Sequence, residues 1–212
     1  MILKRIKKMY SEHGVHDVQI GHVTKSDVLW WHNKVQYFIN NYQKERGDYK
    51  WNWINFYNWF GILRSVKLYK ITVKGVSGED VMIGIMQLHE NSNFIDGSGK
   101  SVFLWYVSNL PFRICQEMGV SRLKDVGRVL VDVAICKSYQ LEHKGRLWLH
   151  AAKPNKYAVK LNMDLVKFYK RLEMQRYKAQ YSITGIRRND GRYFYHDEQS
   201  AVKAVELLNQ YR

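Results

Sequence analysis

Proline and cysteine are scarce in this chain. Its 212 residues include 2 prolines and 2 cysteines. Cys115 and Cys136 form neither the framework of a disulfide-rich secreted domain nor the close pair of a metal motif, so we interpret them as core thiols in a reducing compartment. Because no proline-, glycine- or serine-rich tract marks a linker, residues 1–212 are predicted to form a single domain.

Long apolar runs are also missing. No stretch approaches the ~18 residues that a membrane-spanning helix requires, and the basic start MILKRIKKMY lacks the apolar segment of a signal peptide. Hydrophobic residues make up 46% of the chain and charged residues 25%, which is the balance of an ordinary globular protein. We therefore expect a soluble, cytoplasmic protein with no membrane partner.

Acidic residues are few relative to basic ones. Lysine and arginine number 34 against 19 aspartates and glutamates, which gives a net charge of +15. The excess is greatest between positions 151 and 212, with 13 basic and 6 acidic residues. Such a field attracts polyanions, so RNA, DNA and a phosphate-rich cofactor are all compatible partners. The alternative is a basic, soluble surface with no dedicated nucleic-acid site.

Aromatic residues, in contrast, are abundant. They number 30 in the chain and concentrate in Tyr49–Phe60, which reads YKWNWINFYNWF. Such rings could form a platform on which nucleic-acid bases stack, or they could pack a helix against a core or a substrate wall. We favour packing, because the segment holds few basic residues and its nearest basic neighbours are Lys50 and Arg64.

The hydrophobic periodicity predicts helices and strands in mixed order. A strand at 15–24 is followed by a helix that Ser26 or Asp27 caps and that runs to about Lys44. Further strands are predicted at 67–74, 81–89, 101–107, 147–151, 177–185 and 192–195, and further helices at 51–63, 127–141, around 165–172 and at 198–211. This order indicates an α/β (α+β) domain built on a mixed sheet.

One segment carries the pattern of an anion-binding helix start. Arg122–Ala134, RLKDVGRVLVDVA, follows a buried strand and opens a helix. The first backbone N–H groups of a helix have no internal acceptor and carry the positive end of the helix dipole, which suits a pyrophosphate. Gly127 would let a ligand approach closely, and Arg122 and Arg128 would add charge-assisted contacts.

This segment resembles the acetyl-CoA-binding motif of the GCN5-related N-acetyltransferases (the GNAT superfamily), in which Q/R-x-x-G-x-G/A precedes a helix. Arg122 falls on the Q/R position and Gly127 on the second glycine. Asp125 replaces the first glycine, and a carboxylate beside a pyrophosphate is unfavourable unless it points away.

A second match lies downstream. Asn162–Met174, NMDLVKFYKRLEM, is similar to the superfamily stretch N-x-x-A-x-x-F/L-Y-E-K-L-G-F, although Glu173 and Met174 replace its Gly-Phe end. The preceding Leu147–Ala151 matches the superfamily's fifth strand. The resemblance covers roughly residues 65–185 and implies a mostly antiparallel central sheet flanked by helices. It divides the predicted domain into an aromatic-rich region (1–64), a cofactor-binding core (65–185), and a hairpin end with a C-terminal helix (186–212).

The resemblance implies an N-acyltransferase, in the first place an N-acetyltransferase, that moves an acetyl group directly from acetyl-CoA to an amine. Tyr169 aligns with the superfamily's general acid, and Asn162 with the asparagine that contacts the pantetheine arm. The amide that polarises the thioester carbonyl maps to Tyr106–Asn109. The implied cofactor contacts are Val107, Asn109, Arg122, Lys124, Val126, Gly127, Arg128 and Asn162.

The general base is not marked by any motif. His150 on the predicted fifth strand and His89 on the third could each reach the cleft through a water, and we retain His150 as the catalytic candidate. His13, His16 and His22 have spacings that are poor for a metal site, so no metal is expected.

The acceptor of the acetyl group stays open at this level. The basic charge makes RNA, aminoacyl-tRNA or DNA plausible carriers of the acceptor amine, while a protein N-terminus, a lysine or a small amine is equally compatible. A homodimer is also compatible with the sequence. An alternative function is a nucleic-acid-binding or nucleic-acid-modifying protein that keeps a GNAT-like fold without acetyl-CoA chemistry. A catalytically silent interaction protein is a third interpretation.

Overall fold

The computed structural model describes residues 6–60, 63, 65–152, 161–179 and 190–212. Eight strands form a sheet in the order β1-β2-β3-β4-β5-β6-β8-β7. The strands are β1 Lys8–Ser11, β2 Gly14–His22, β3 Val66–Lys74, β4 Asp80–Asn93, β5 Lys100–Asn109, β6 Leu147–His150, β7 Gln175–Arg176 and β8 Tyr193–His196. Every neighbouring pair is antiparallel except β5 and β6. The predicted mixed, mostly antiparallel sheet is therefore confirmed.

Helices cover the sheet. They are α1 Lys25–Trp30, a π-helical turn Trp31–Gln36, α2 Tyr37–Tyr42, α3 Trp53–Phe60, α4 Phe112–Glu117, α5 Val126–Gln140, α6 Leu161–Arg171 and α7 Glu198–Glu206, followed by a 3-10 turn Asn209–Tyr211. The predicted last helix is thus shorter than expected. The helix predicted at 51–63 is described from Trp53 to Phe60, and residues 61–62 lie outside the described part of the chain. None of these helices is long and apolar enough to cross a membrane.

The N-cap of the first helix lies two or three residues earlier than the sequence suggested. Thr24 is the N-cap, and neither Ser26 nor Asp27 takes that position. The Thr24 hydroxyl accepts from the Asp27 backbone N–H at 3.2 Å, while the Asp27 carboxylate accepts from the Thr24 N–H at 2.7 Å. This reciprocal capping box satisfies two backbone donors and explains why Asp27 is needed at the third helical position.

Strand boundaries differ from the prediction at several places. β1 was not predicted, because four residues carry too little alternation to stand out. β4 extends to Asn93, beyond the predicted end at His89. The strand predicted at 177–185 lies mostly outside the described residues, and its described residues 177–179 are not in a strand. The strand that pairs with β8 comes just before it, with Gln175 opposite Tyr195 and Arg176 opposite Phe194.

The aromatic segment packs as predicted. Trp53 is fully buried and its indole N–H donates to Gln36 Oε1 at 3.1 Å. Phe56 stacks on Tyr106 of β5 with ring centroids 4.1 Å apart. Trp51 meets the same Tyr106 ring edge-on at 4.6 Å. These rings therefore bind the α3 region to the sheet by hydrophobic and aromatic contact.

The two cysteines are buried and unpaired, in agreement with their interpretation as core thiols. Cys136 lies on α5 beside Asp132, whose carboxylate accepts a hydrogen bond from the thiol at 3.6 Å. Asp132 is also ion-paired with Arg212, although burial still raises the pKa of Asp132 to about 6. This ion pair ties the last described residue to the middle of α5.

Close packing of α5 on β4 depends on Gly84. A Cβ at this position would lie 2.9 Å from Val126 Cγ1 and 3.1 Å from Leu130 Cδ1. We expect Gly84→Ala to lower the free energy of unfolding by about 1–3 kcal/mol, because the added methyl overpacks this contact. Urea denaturation measures the change.

Gly21→Ala on β2 is the matched control, since nothing lies within 4 Å of its Cβ position. It should leave stability unchanged or raise it by up to about 1 kcal/mol through the unfolded chain. Equal destabilisation by the two substitutions would contradict the packing argument.

Candidate active site

A gap in the sheet defines the site. β5 and β6 are paired in parallel at Val102–Leu147, Phe103–Trp148 and Leu104–Leu149. β6 then ends at His150, whereas β5 continues to Asn109 along β4. Beyond Leu104, no strand in the described part of the chain pairs with this edge of β5. Backbone groups on that edge that no other residue engages are the ones a ligand could reach.

Two cavities meet at this gap. The α5 cavity, about 670 Å³, lies at the start of α5 and includes Arg122, Lys124, Asp125, Val126, Gly127 and Phe168 in its lining. The β6 cavity, about 700 Å³, lies beside β6 and includes Arg46, Trp51, Phe103, Trp105, His150 and Arg192. Val107, Asn109, Leu165 and Tyr169 line both cavities. The far end of β5 and the inner face of α6 thus join them into one groove.

The start of α5 keeps its anion-binding character despite Asp125. This residue is the N-cap with φ 60°, and its side chain makes no capping hydrogen bond. Its carboxylate instead accepts from the Tyr211 hydroxyl at 2.8 Å and lies 3.2 Å from Arg128 Nε. Burial and this bond raise the pKa of Tyr211 to about 12, so its hydroxyl stays a donor. The first N–H groups of α5 are left without a side-chain cap.

Arg128 and Gly127 have structural partners that the sequence did not reveal. Arg128 is paired with Asp125 and is not among the residues lining the α5 cavity. Gly127 lines the cavity, but a Cβ there would lie 3.3 Å from the Phe168 ring. The glycine therefore makes room for Phe168 of α6 as well as for any ligand.

Tyr169 is one of the four described residues that line both cavities. Its ring packs against Phe194 of β8 at 4.9 Å and against Phe168 at 5.2 Å. Burial raises the pKa of its hydroxyl well above the ordinary value. The hydroxyl makes no hydrogen bond to the described residues, so this phenol is a protonated donor in the groove.

His150 lies in the β6 cavity and is held from two sides. Its Nε2 lies 3.0 and 3.1 Å from the two carboxylate oxygens of Asp190, and its ring stacks on Tyr193 at 4.2 Å. Arg192 Nε also donates to Asp190 at 2.8 Å. Burial opposes ionisation of Asp190, but its bonds to Arg192 and His150 hold its pKa below the ordinary value. Asp190 therefore orients His150 as a carboxylate.

The remaining predicted site residues have the following positions. Val107 and Asn109 line both cavities, and Arg122, Lys124 and Val126 line the α5 cavity. Asn162 lies in α6, but its side chain is outside the described part of the chain. His89 lines neither cavity, and burial lowers its pKa. In the described ranges no group of three His, Cys, Asp or Glu could hold a metal ion.

Sequence reasoning missed an ion pair at the mouth of the β6 cavity. Arg46 donates from Nε and Nη2 to Asp48 at 2.8 and 2.7 Å, and from Nη2 to the Asn109 carbonyl at 2.9 Å. The Ser108 hydroxyl donates to the same Asp48 at 2.5 Å. The fold brings together residues about 60 positions apart, so only the compact turn of Arg46-Gly47-Asp48 could have drawn attention to them.

Comparisons with known proteins agree with this geometry. No protein-family model and no curated protein matches the chain. Spermidine N-acetyltransferase from Vibrio cholerae, solved with CoA and spermine, is similar over 87% of this chain and 98% of its own, with 13% identity and a TM-score of 0.52. A variant of the same enzyme has 15% identity, covers 87% of this chain and 96% of its own, and has the same TM-score of 0.52.

A GNAT-family acetyltransferase from Staphylococcus aureus is similar over 85% of this chain and 99% of its own, with 13% identity and a TM-score of 0.49. The likeness to the two spermidine N-acetyltransferase structures shows the fold of the chain. The protein has the GNAT fold, and at this level of identity it is a divergent representative of it.

The protonation of Tyr169 can be measured directly. We expect the ultraviolet phenolate titrations of the wild type and of Tyr169→Phe to coincide until alkali unfolds the protein, because the buried hydroxyl keeps its proton. Tyr37→Phe serves as the control, since it removes the hydroxyl of a tyrosine that is 63% exposed. An ordinary titration step lost in Tyr169→Phe would refute this burial.

Proposed function

We propose that the protein is an acyl-CoA-dependent N-acyltransferase that moves an acetyl group from acetyl-CoA to an amine. The observation that carries this proposal is the junction of the α5 cavity with the β6 cavity at Tyr169. One cavity offers a helix start suited to phosphate, and the other offers space for an acceptor beside a histidine. A protonated phenol lies between them, where a thioester would be cleaved.

The α5 cavity fits the pyrophosphate of CoA. The first backbone N–H groups of α5 and the positive end of its dipole favour an anion there, and Arg122 and Lys124 add two cations. Glu12 and Asp125 also contribute to the lining, but Asp125 is already engaged by Tyr211 and Arg128. The edge of β5 at Val107 offers backbone groups to the pantetheine arm, while the Asn109 carbonyl beside it is held by Arg46.

The chemistry needs one bond formed and one broken. The acceptor nitrogen attacks the thioester carbonyl carbon, a C–N bond forms and the C–S bond breaks. A backbone N–H at the end of β5 stabilises the charge that develops on the carbonyl oxygen. Tyr169 donates its proton to the departing sulfur, and His150, oriented by Asp190, takes the proton that the amine releases.

Removing the Tyr169 hydroxyl tests the general acid. We expect Tyr169→Phe to lower kcat for acetyl transfer about 100-fold while leaving the affinity for acetyl-CoA unchanged, because the ring and its packing are kept. Release of the CoA thiol measures turnover, and titration calorimetry measures binding. Tyr37→Phe is the control and should behave as the wild type. Wild-type turnover in Tyr169→Phe would remove this role.

Reversing one charge tests the phosphate site. We expect Lys124→Glu to weaken CoA binding at least tenfold in calorimetry at moderate salt, since it places a carboxylate at the start of α5. Lys67→Glu makes the same change of net charge at an exposed position on β3 that lines neither cavity. Equal loss of binding in both variants would mean that overall charge, rather than this cavity, attracts CoA.

A second candidate function follows from the outer face of α6. Lys167, Lys170 and Arg171 are exposed there, as are Arg176 and Lys178 just beyond, and none forms an ion pair with another described residue. The same helix presents Tyr169 to the groove, so these cations would favour a polyanion such as RNA, DNA or aminoacyl-tRNA beside the site. A nucleic-acid binder without acetyl-CoA chemistry would show steeply salt-dependent RNA affinity and no CoA binding.

A further inference from the structure

We propose that the acceptor is a primary amine carried by an aromatic ring, an arylalkylamine, and that Trp105 is the residue that recognises the ring. This inference rests on the proposed acetyl transfer and names the substrate class of the same site. It follows from the shape of β5, the aromatic lining and the charge balance of the β6 cavity.

A β-bulge directs Trp105 toward the cavity. On β4 the neighbours Gln87 and Leu88 pair with Tyr106 and Leu104, so Trp105 is the extra residue on β5. Without the bulge, Trp105 and Tyr106 would point to opposite faces of the sheet. With it, both line the β6 cavity and their rings are parallel within 5°, with centroids 6.0 Å apart.

Trp105 also has ring surface available. Its exposed fraction is 39%, although it belongs to the lining of a cavity. Phe103 lies beside it with ring centroids 5.7 Å apart, and both contribute to one aromatic wall. Tyr106 is supported from behind by Phe56, which fixes the wall in place. A flat ring that stacks on this wall gains aromatic contact as well as apolar burial.

The aromatic wall lies beside His150, the proposed proton acceptor. Leu104 pairs with Leu149, so Trp105 and His150 are the next residues on the two strands at the point where the strands part. A ring held by Trp105 would therefore carry its amine on a short linker into the groove that His150 and Tyr169 line.

The charges of the cavity argue against a polycation. Among its described lining residues are two arginines, Arg46 and Arg192, and one carboxylate, Asp48. That carboxylate already accepts hydrogen bonds from Arg46 and Ser108. A polyamine, which needs several unpaired carboxylates, finds none in this lining. An arylalkylamine carries a single positive charge, which it loses with the proton that His150 takes before the attack.

The test compares three amines in acetyl transfer. Phenethylamine and cyclohexylethylamine have the same length and number of carbons but differ in aromaticity, and spermidine is the polycation. We expect kcat/KM for phenethylamine to exceed that for cyclohexylethylamine about three- to tenfold through stacking, and that for spermidine by more than tenfold. A preference for spermidine, or equal values for the two ring amines, overturns the proposal.

Variants of Trp105 test whether this residue recognises the aromatic ring of the acceptor. Trp105→Ala should lower kcat/KM for phenethylamine about tenfold and abolish the preference over cyclohexylethylamine, while Trp105→Phe should keep most of it. Acetyl-CoA affinity should not change in either variant. Tyr37→Ala removes a ring that is 63% exposed on α2, outside both cavities, and should have no effect. Unchanged selectivity in Trp105→Ala overturns the role of this residue.

Direct binding separates this inference from the proposed function. Ligand-observed NMR with phenethylamine needs no acetyl-CoA, and Trp105→Ala should abolish the signal. Binding of phenethylamine without binding of acetyl-CoA would support the aromatic subsite and refute acetyl transfer. Acetyl transfer to other amines without binding of phenethylamine would refute the subsite and leave acetyl transfer standing. Binding of neither compound would overturn both.

Discussion

The parting of β5 and β6 is the constraint on which the rest of the structure depends. Parallel strands need a crossover connection, and α5 supplies it between β5 and β6. Because the pairing stops at Leu104–Leu149, β4 is the one strand among the described residues that pairs with the later part of β5. The start of α5 and the inner face of α6 border the space that this leaves. The groove is thus a consequence of sheet topology, and the side chains that line it determine only its chemistry.

The start of α5 is organised by residues far from it in sequence. Tyr211 donates to Asp125, and the ion pair of Arg212 with Asp132 holds the same segment further along α5. The Lys7 backbone N–H donates to the Tyr211 carbonyl, which connects this segment to the beginning of the sheet. These contacts give the Asp125 carboxylate partners of its own. They explain how a helix start can accept an aspartate where the GNAT motif has glycine and still present its N–H groups.

Local patterns predicted the secondary structure well where one face of an element is buried. The segment after Arg122 predicted α5 to within a residue at each end, and the alternation of Lys67–Lys74 predicted β3. Thr24 was missed as a cap because Ser26 and Asp27 are also good capping residues, and the choice among them is made by backbone geometry. The contacts of Asp190 with His150 and of Asp48 with Ser108 could not be predicted, because these partners are 40 and 60 positions apart in sequence.

The sequence by itself determined the class of fold, the helix start that suits an anion and the tyrosine aligned with the general acid of the GNAT proteins. These features depend on residue order and local periodicity, which a linear pattern carries. Tertiary structure alone decided that Arg128 pairs with Asp125, that Phe168 fills the space beside Gly127 and that Trp105 turns into the β6 cavity. Each of these depends on packing between distant segments and on a bulge in strand register, and neither is encoded in a local run of residues.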